Sequence, residues 1–152
     1  MKRLIITIAI ITCAVAAMAQ NKIFEKYAKM EDVDFVCINK AMFNLANSAL
    51  SALDSELGNL VGIEKMLIIN SNTTKGKSQI DKDIEALSND KNYEILMTAR
   101  DGSDNVVFFF TDKRNPHELI IATQEKEESS ILVCAGSFSS KEVYEMLNGE
   151  GD

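Results

Sequence analysis

The apolar pattern of this 152-residue chain predicts a single α+β domain, built on one mixed β-sheet with helices mainly on one face. In the first half, apolar runs typical of strands alternate with segments whose apolar residues recur at helical spacing. In the second half, the pattern changes to period two and stays there until a last helical segment. A βαβ opening predicts parallel strands joined by a right-handed crossover, and the following four-stranded meander adds antiparallel pairs.

The first nineteen residues have the pattern of an export signal. Lys2 and Arg3 precede an uncharged apolar run, and Ala17 and Ala19 are the small residues that a signal peptidase recognises. The run is shorter than the roughly 20 residues that a membrane-spanning helix needs, so an uncleaved anchor is the weaker interpretation. We therefore expect residues 1–19 to be a signal peptide.

Cleavage before Gln20 competes with lipidation at Cys13. Thr12 fits poorly before a lipid-modified cysteine, where a small residue is usual, so lipidation ranks second. The mature chain, residues 20–152, has the length of one domain and is expected in the periplasm or at the cell surface, without a membrane span.

Three amphipathic helices and two strands are predicted before residue 90. The helices share apolar residues at spacings of three and four: Phe24, Tyr27 and Met30 within 22–30, then Met42, Leu45, Ala49, Leu53 and Leu57, then Ile80, Ile84 and Leu87. The strands are the apolar runs 34–39 and 63–69. Asn39 is a plausible cap of the second helix, and Thr74 or Ser78 of the third. The charged residues at 81–83 and 85 are interpreted as a solvated helix face.

Four strands and a helix are predicted after residue 92. The strands cover residues 93–100, 105–111, 118–124 and 129–137, and Ser140 is expected to cap the last helix. The run from Val106 to Phe110 is apolar on both sides. It should therefore be a central, fully covered strand or a contact surface, which makes Val107 and Phe109 candidate interaction residues.

The two cysteines of the mature chain, Cys37 and Cys134, each lie in an apolar strand-like run. Export permits a disulfide between them, but the bridge needs Cα atoms within about 7 Å, and nothing in the sequence makes the two strands neighbours. We favour two unpaired core cysteines and keep a Cys37–Cys134 disulfide as the minority alternative.

Composition and motifs argue against most chemistries. A net charge of −7 opposes nucleic-acid binding. His117 is the only histidine, which leaves too few ligands for a usual zinc site and predicts a surface residue beside Pro116. No G-x-S-x-G motif is present, and Lys75-Gly76-Lys77-Ser78 lacks the first glycine of a phosphate loop. We therefore predict no catalytic residue, no metal site and no cofactor.

Several segments resemble one known family in order and spacing. They are the run from Asp34 to Met42 with its Lys-x-Met step, the strands beginning at Tyr93 and Glu118, and the closing Val133, Gly136 and Phe138. The chain thus resembles the small exported Bacteroidetes proteins of a domain-of-unknown-function family, DUF4252. The resemblance spans nearly the whole mature chain. It implies export and one α+β domain, and it carries over no catalytic residue.

These observations favour an exported, non-catalytic envelope protein that binds another envelope protein or the envelope itself. Lys40, at a strand-to-helix junction, is a further candidate contact, because a helix N-terminus with a nearby ammonium can receive a carboxylate. The alternative is a periplasmic carrier of a small apolar ligand held between sheet and helices.

Overall fold

The computed structural model describes residues 22–45 and 62–148, and side chains within 24–45 and 62–145. The predicted signal peptide, its cleavage site and Cys13 lie outside the described residues. So do Ala49, Leu53 and Leu57 of the second predicted helix.

The described chain consists mainly of six strands and two helices, preceded by a 3-10 helix. Their bounds are the 3-10 helix Lys22–Lys29, β1 (Asp34–Asn39), β2 (Ile63–Ser71), α1 (Thr74–Ser88), β3 (Glu94–Asp101), β4 (Asp104–Thr111), β5 (His117–Gln124), β6 (Ser129–Gly136) and α2 (Ser140–Asn148). A further helical segment occupies residues 40–45. None of the described helices is both long and apolar enough to cross a membrane.

The six strands form one sheet in the order β1-β2-β6-β5-β4-β3, and every neighbouring pair is antiparallel. The predicted α+β class, the single sheet and the four-stranded meander are confirmed. The predicted parallel βαβ opening, and with it the mixed sheet, is wrong. Asn39 at the end of β1 lies opposite Lys65 near the start of β2, so the connection leaves and returns at the same end of the sheet. A parallel pair needs a connection that traverses the sheet.

The first face of the sheet is covered by the 3-10 helix and α1. Its buried cluster contains Phe24, Tyr27, Val33, Leu67, Ile69, Ile80, Ile84, Leu87, Tyr93, Val107, Phe109, Ile120, Ala122, Ile131 and Val133. The predicted inner face of α1 is thereby confirmed. We call this side of the sheet the helix-covered face.

A second, smaller buried cluster lies on the opposite face, where α2 packs. It contains Phe108, Phe110, Leu119, Cys134, Phe138 and Val143. The expectation of helices mainly on one face holds for the 3-10 helix and α1, and α2 is the exception that lies on this side. Its period-3.6 pattern predicted a buried stripe but not the side of the sheet that receives it.

Local hydrogen bonds show that α1 and α2 are each capped by a residue before the predicted ones. Thr73, rather than Thr74 or Ser78, caps α1, and its Oγ1 accepts from the Gly76 amide at 3.0 Å. Ser139, rather than Ser140, caps α2. Ser139 Oγ accepts from the Glu142 amide at 3.2 Å and the Ser139 amide donates to Glu142 Oε2 at 2.6 Å, a reciprocal capping box. The predicted cap at Asn39 is confirmed, because its Oδ1 accepts from the Met42 amide at 3.2 Å.

Strand β3 contains a β-bulge, after which its alternate residues lie on the other side of the sheet. Ile95 pairs with Phe109, whereas Met97 pairs with Phe108, so the register shifts between these two residues of β3. The bulge places Met97 on the α2 side of the sheet and leaves Ile95 on the helix-covered face. An uninterrupted period of two would instead place both residues on the same side of the sheet.

Candidate functional site

The two apolar candidates on β4 are not available to a partner. Val107 and Phe109 are only 6% and 0% exposed, because both point into the core beneath the 3-10 helix and α1. These two residues therefore do not form the contact surface that the sequence predicted. The alternating residue Phe108 faces the other side of the sheet, and it belongs to a different surface.

One apolar side chain from each of the six strands forms a continuous row across that other side. The cross-strand pairs run from edge to edge in the order Val36, Ile68, Leu132, Ile121, Phe108 and Met97. We call these six residues the apolar row. Directly opposite residues in an antiparallel pair have adjacent side chains on one face, so the row is a physical stripe of contacting apolar groups.

The row is partly open to solvent. Val36 and Ile68 are 47% and 37% exposed at one edge of the sheet, and Met97 is 40% exposed at the other. Leu132 and Ile121, in the middle, are half-buried. The solvated face of an antiparallel sheet normally carries polar residues. A partly exposed apolar stripe on such a face is typical of a surface that another molecule covers.

The residues beside the row differ on its two sides. On the side towards α2, the row adjoins buried core residues, among them Phe110, Cys134 and Val143. Away from α2, a neighbouring cross-strand row begins with the polar residues Asp34 and Asn70. The apolar row is therefore a strip between a closed core and a polar margin.

The structure places the predicted contact Lys40 at an exposed position. Lys40 is the first residue of the helical segment 40–45, and its Nζ lies 3.5 Å from Glu64 Oε1, a long and solvent-exposed ion pair. Such a pair contributes little to stability, so the ammonium can exchange partners. Its role in binding stays a prediction.

The minority disulfide is not formed. Cys134 is a free, buried thiol in the α2-side cluster, whereas Cys37 packs against the cluster on the helix-covered face and is itself disulfide-bonded, so the expectation of two unpaired cysteines holds for Cys134 alone. Burial raises the pKa of the Cys134 thiol to about 11, so the group is protonated at neutral pH and is a poor nucleophile.

His117 is more enclosed than the predicted surface residue. Its Nδ1 donates to the Phe138 carbonyl oxygen at 2.7 Å, and its ring meets Phe110 edge-on with centroids 6.2 Å apart. The single histidine of the chain thus joins β5 to the segment that leads into α2. Within the described part of the chain, no group of three or more His, Cys, Asp or Glu residues is arranged to hold a metal ion.

A polar groove of about 950 Å³ runs between α1 and the ends of β4 and β5. The Asp81 carboxylate accepts three side-chain hydrogen bonds in this groove. Lys77 Nζ donates at 2.7 Å, Ser129 Oγ at 2.6 Å and Gln124 Nε2 at 3.0 Å. Burial alone would raise the pKa of Asp81, but these hydrogen bonds outweigh it and lower the pKa. The groove is thus a hydrogen-bonded seam between helix and sheet, lined largely by charged and polar groups.

Asp83 is a buried polar residue that sequence reasoning assigned to the solvent. It is 6% exposed, accepts a hydrogen bond from the Tyr27 hydroxyl, and has Lys26 Nζ at 2.6 Å from Oδ2. Burial, and then the bond to Asp83, raise the pKa of Tyr27. Nothing in the sequence pattern indicates that Tyr27 and Asp83 pair with each other. Their hydrogen bond joins the 3-10 helix to α1.

The comparisons with known proteins give one match. The model of a family described as Domain of unknown function (DUF4252) matches residues 27–146, which includes all six strands and most of α2. No curated protein and no solved structure matches the chain.

Proposed function

This chain belongs to the DUF4252 family, and from that premise we propose that it is an exported, non-catalytic interaction module of the cell envelope. The observation that carries the proposal is the apolar row. It crosses the whole sheet, is partly open at both edges, and offers apolar surface that a partner protein would remove from water.

Export is supported by the N-terminal pattern of Lys2 and Arg3, the apolar run and the small residues before Gln20. A binding role is supported by what the reactive side chains of the described residues do. Cys134 is buried with a raised pKa, and the His117 ring is committed to the Phe138 carbonyl. These groups stabilise the fold and are not directed at a shared open site.

The alternative of a carrier for a small apolar ligand has less support. The space between sheet and α1 is filled by packed side chains such as Ile80, Ile84 and Phe109. The groove beside it is lined by Lys77, Asp81 and other polar residues, which would place an apolar ligand against charged groups that it cannot hydrogen-bond.

The proposal is tested by recovering the partner with matched variants of the natively expressed protein. A tagged chain is crosslinked in intact cells, and the copurifying proteins are quantified by mass spectrometry. We expect one envelope protein near equal stoichiometry, and we expect its loss with the double variant Val36→Thr/Ile68→Thr. Ile95→Thr is the control, because Ile95 is 48% exposed but lies on the other face of the sheet. Recovery of the tagged protein alone would contradict an interaction role.

A further inference from the structure

We propose that the occupant of the apolar row is a basic amphipathic segment of a partner protein. The inference rests on the proposed interaction role and names the chemistry of its partner. It follows from the charges that the strands place on each face of the sheet.

The ionisable strand residues around the apolar row are predominantly carboxylates. Asp34 lies two residues from Val36 on β1, and the other exposed acids of this face lie on β3 and β4: Glu94, Asp101 and Asp104. Glu94 pairs with Phe110, and the other two pair with each other across the β3–β4 hairpin. Exposed negative charge therefore lies beside the row at both edges of the sheet, next to it at Asp34 and Glu94 and farther along the β3–β4 hairpin, beyond Ala99 and Val106, at Asp101 and Asp104.

Basic residues of the strands lie on the opposite face. The six strands contain only two, Lys65 and Arg100. Lys65 lies opposite Ala135, in phase with the core residue Val133, and Arg100 lies opposite Asn105, which lines the polar groove. The exposed acids of β1, β3 and β4 thus lie on the face of the row, and the two bases lie on the other face with the buried Glu118, which makes the row an apolar strip with an acidic border.

This charge pattern discriminates between possible occupants. A second copy of the chain, docked face to face, would bring the acidic borders together, and the whole chain already carries a net charge of −7. An anionic lipid surface is opposed by the same repulsion. A helix or strand with an apolar stripe and flanking Lys or Arg satisfies both features at once, because its apolar side covers the row while its cations reach the border.

The test uses two synthetic amphipathic peptides with the same leucine stripe, one with lysine and one with glutamate at the polar positions. Binding to the chain from residue 20 to 152 is measured by calorimetry at low and at physiological salt. We expect the leucine–lysine peptide to bind, more weakly as salt rises, and the leucine–glutamate peptide not to bind.

Variants map the binding to this face. Val36→Thr/Ile68→Thr removes apolar contact from the row and should weaken the leucine–lysine peptide roughly tenfold. Asp34→Asn/Asp104→Asn should weaken it too and reduce the salt dependence. The control Ile95→Thr should bind like the unaltered protein. Circular dichroism and the melting temperature of each variant establish that it is folded.

Three results would overturn the inference: equal binding of the two peptides, no binding of the lysine peptide, or binding that the row and border variants leave unchanged. Each is separable from failure of the interaction role. A partner that is crosslinked in cells and lost in Val36→Thr/Ile68→Thr, but docks through an acidic or neutral segment, would retain the proposed function and refute the basic partner.

Discussion

At the scale of single residues, buried polar contacts join neighbouring elements on the helix-covered face of the sheet. Tyr27 and Asp83 join the 3-10 helix to α1, and the Tyr93 hydroxyl donates to the fully buried carboxylate of Glu118. A buried polar group that loses its partner retains the cost of desolvation. The first contact therefore stabilises the arrangement of the 3-10 helix on α1, and the second stabilises the position of the segment before β3 against β5.

Tyr27→Phe tests the first contact through pH. The pKa of Tyr27 is raised in the folded chain by burial and by Asp83, so its stabilising effect is complete below the unfolded value of about 10 and is lost as pH rises above it. At neutral pH we expect Tyr27→Phe to lower the free energy of unfolding by about 1–3 kcal/mol. The difference between the two proteins should shrink above pH about 10 in urea titrations. A constant difference across that range would contradict this assignment.

The Asp81 seam makes a second prediction at this scale. Ser129→Ala removes one of the donors that lower the pKa of Asp81, so the pKa should rise towards its ordinary value. Carboxylate chemical shifts in an NMR titration report it directly. Because a lowered pKa stabilises the fold above the unfolded value and the effect is lost as pH falls, the variant should also be less sensitive to acid. Ser130→Ala, on the other face, is the control and should leave the Asp81 titration unchanged.

At the scale of elements, α1 approaches the segment before β1 so closely that only glycine fits its first turn. A Cβ on Gly76 would overlap Ser71 Oγ and the Asp32 carbonyl oxygen, and the Ser71 hydroxyl donates to that same carbonyl at 2.5 Å. The glycine of the apparent phosphate-loop fragment is thus explained by packing.

Gly76→Ala should therefore destabilise the protein despite the better helix propensity of alanine. We expect a loss of about 1–3 kcal/mol from overpacking, measured by urea unfolding. Ser78→Ala, at an exposed position of the same helix, is the matched control and should change stability little. Equal stabilities of Gly76→Ala and the unaltered chain would show that the close approach is absent.

Edge and central strands should differ in stability. β3 pairs only with β4 and is exposed over most of its length, whereas β6 lies between β2 and β5 and is largely buried. Hydrogen exchange followed by mass spectrometry should show the fastest strand exchange in β3 and the slowest in β6. Equal protection of these two strands would contradict the strand order.

The sequence predicted the elements far better than their arrangement. Period two located the meander strands to within a residue or so, because alternation directly records which side of a strand is buried. No comparable pattern in the sequence indicates whether β1 and β2 pair parallel or antiparallel. Helical spacing in the segment between them does not determine at which end of the sheet β2 begins. The same gap misplaced the binding surface: β4 directs Phe109 and Phe108 to opposite faces and both are buried, whereas the exposed apolar residues Val36, Ile68 and Met97 lie nearer the edges of the sheet.

At the scale of the whole molecule, the two faces of the sheet have different tasks. One face is sealed by the 3-10 helix and α1, and the other presents an apolar strip with an acidic border beside α2. This division is compatible with a protein that folds alone and uses one face for a partner.

The acidic border predicts that the chain from residue 20 to 152 does not pair with itself through this face. We expect analytical ultracentrifugation at neutral pH and low salt to show a monomer, because face-to-face copies would juxtapose like charges. A dimer that Val36→Thr/Ile68→Thr converts to monomer, and that Ile95→Thr leaves intact, would assign the row to self-association instead.

Site-specific photo-crosslinking in living cells tests the central claim, that the apolar row is the surface that binds a partner. A photoreactive residue replaces Ile68 in the row or, in the matched control, Ile95 on the opposite face. The account predicts one discrete crosslinked species from position 68 and none from position 95. Crosslinks from both positions alike, or from position 95 alone, would contradict it.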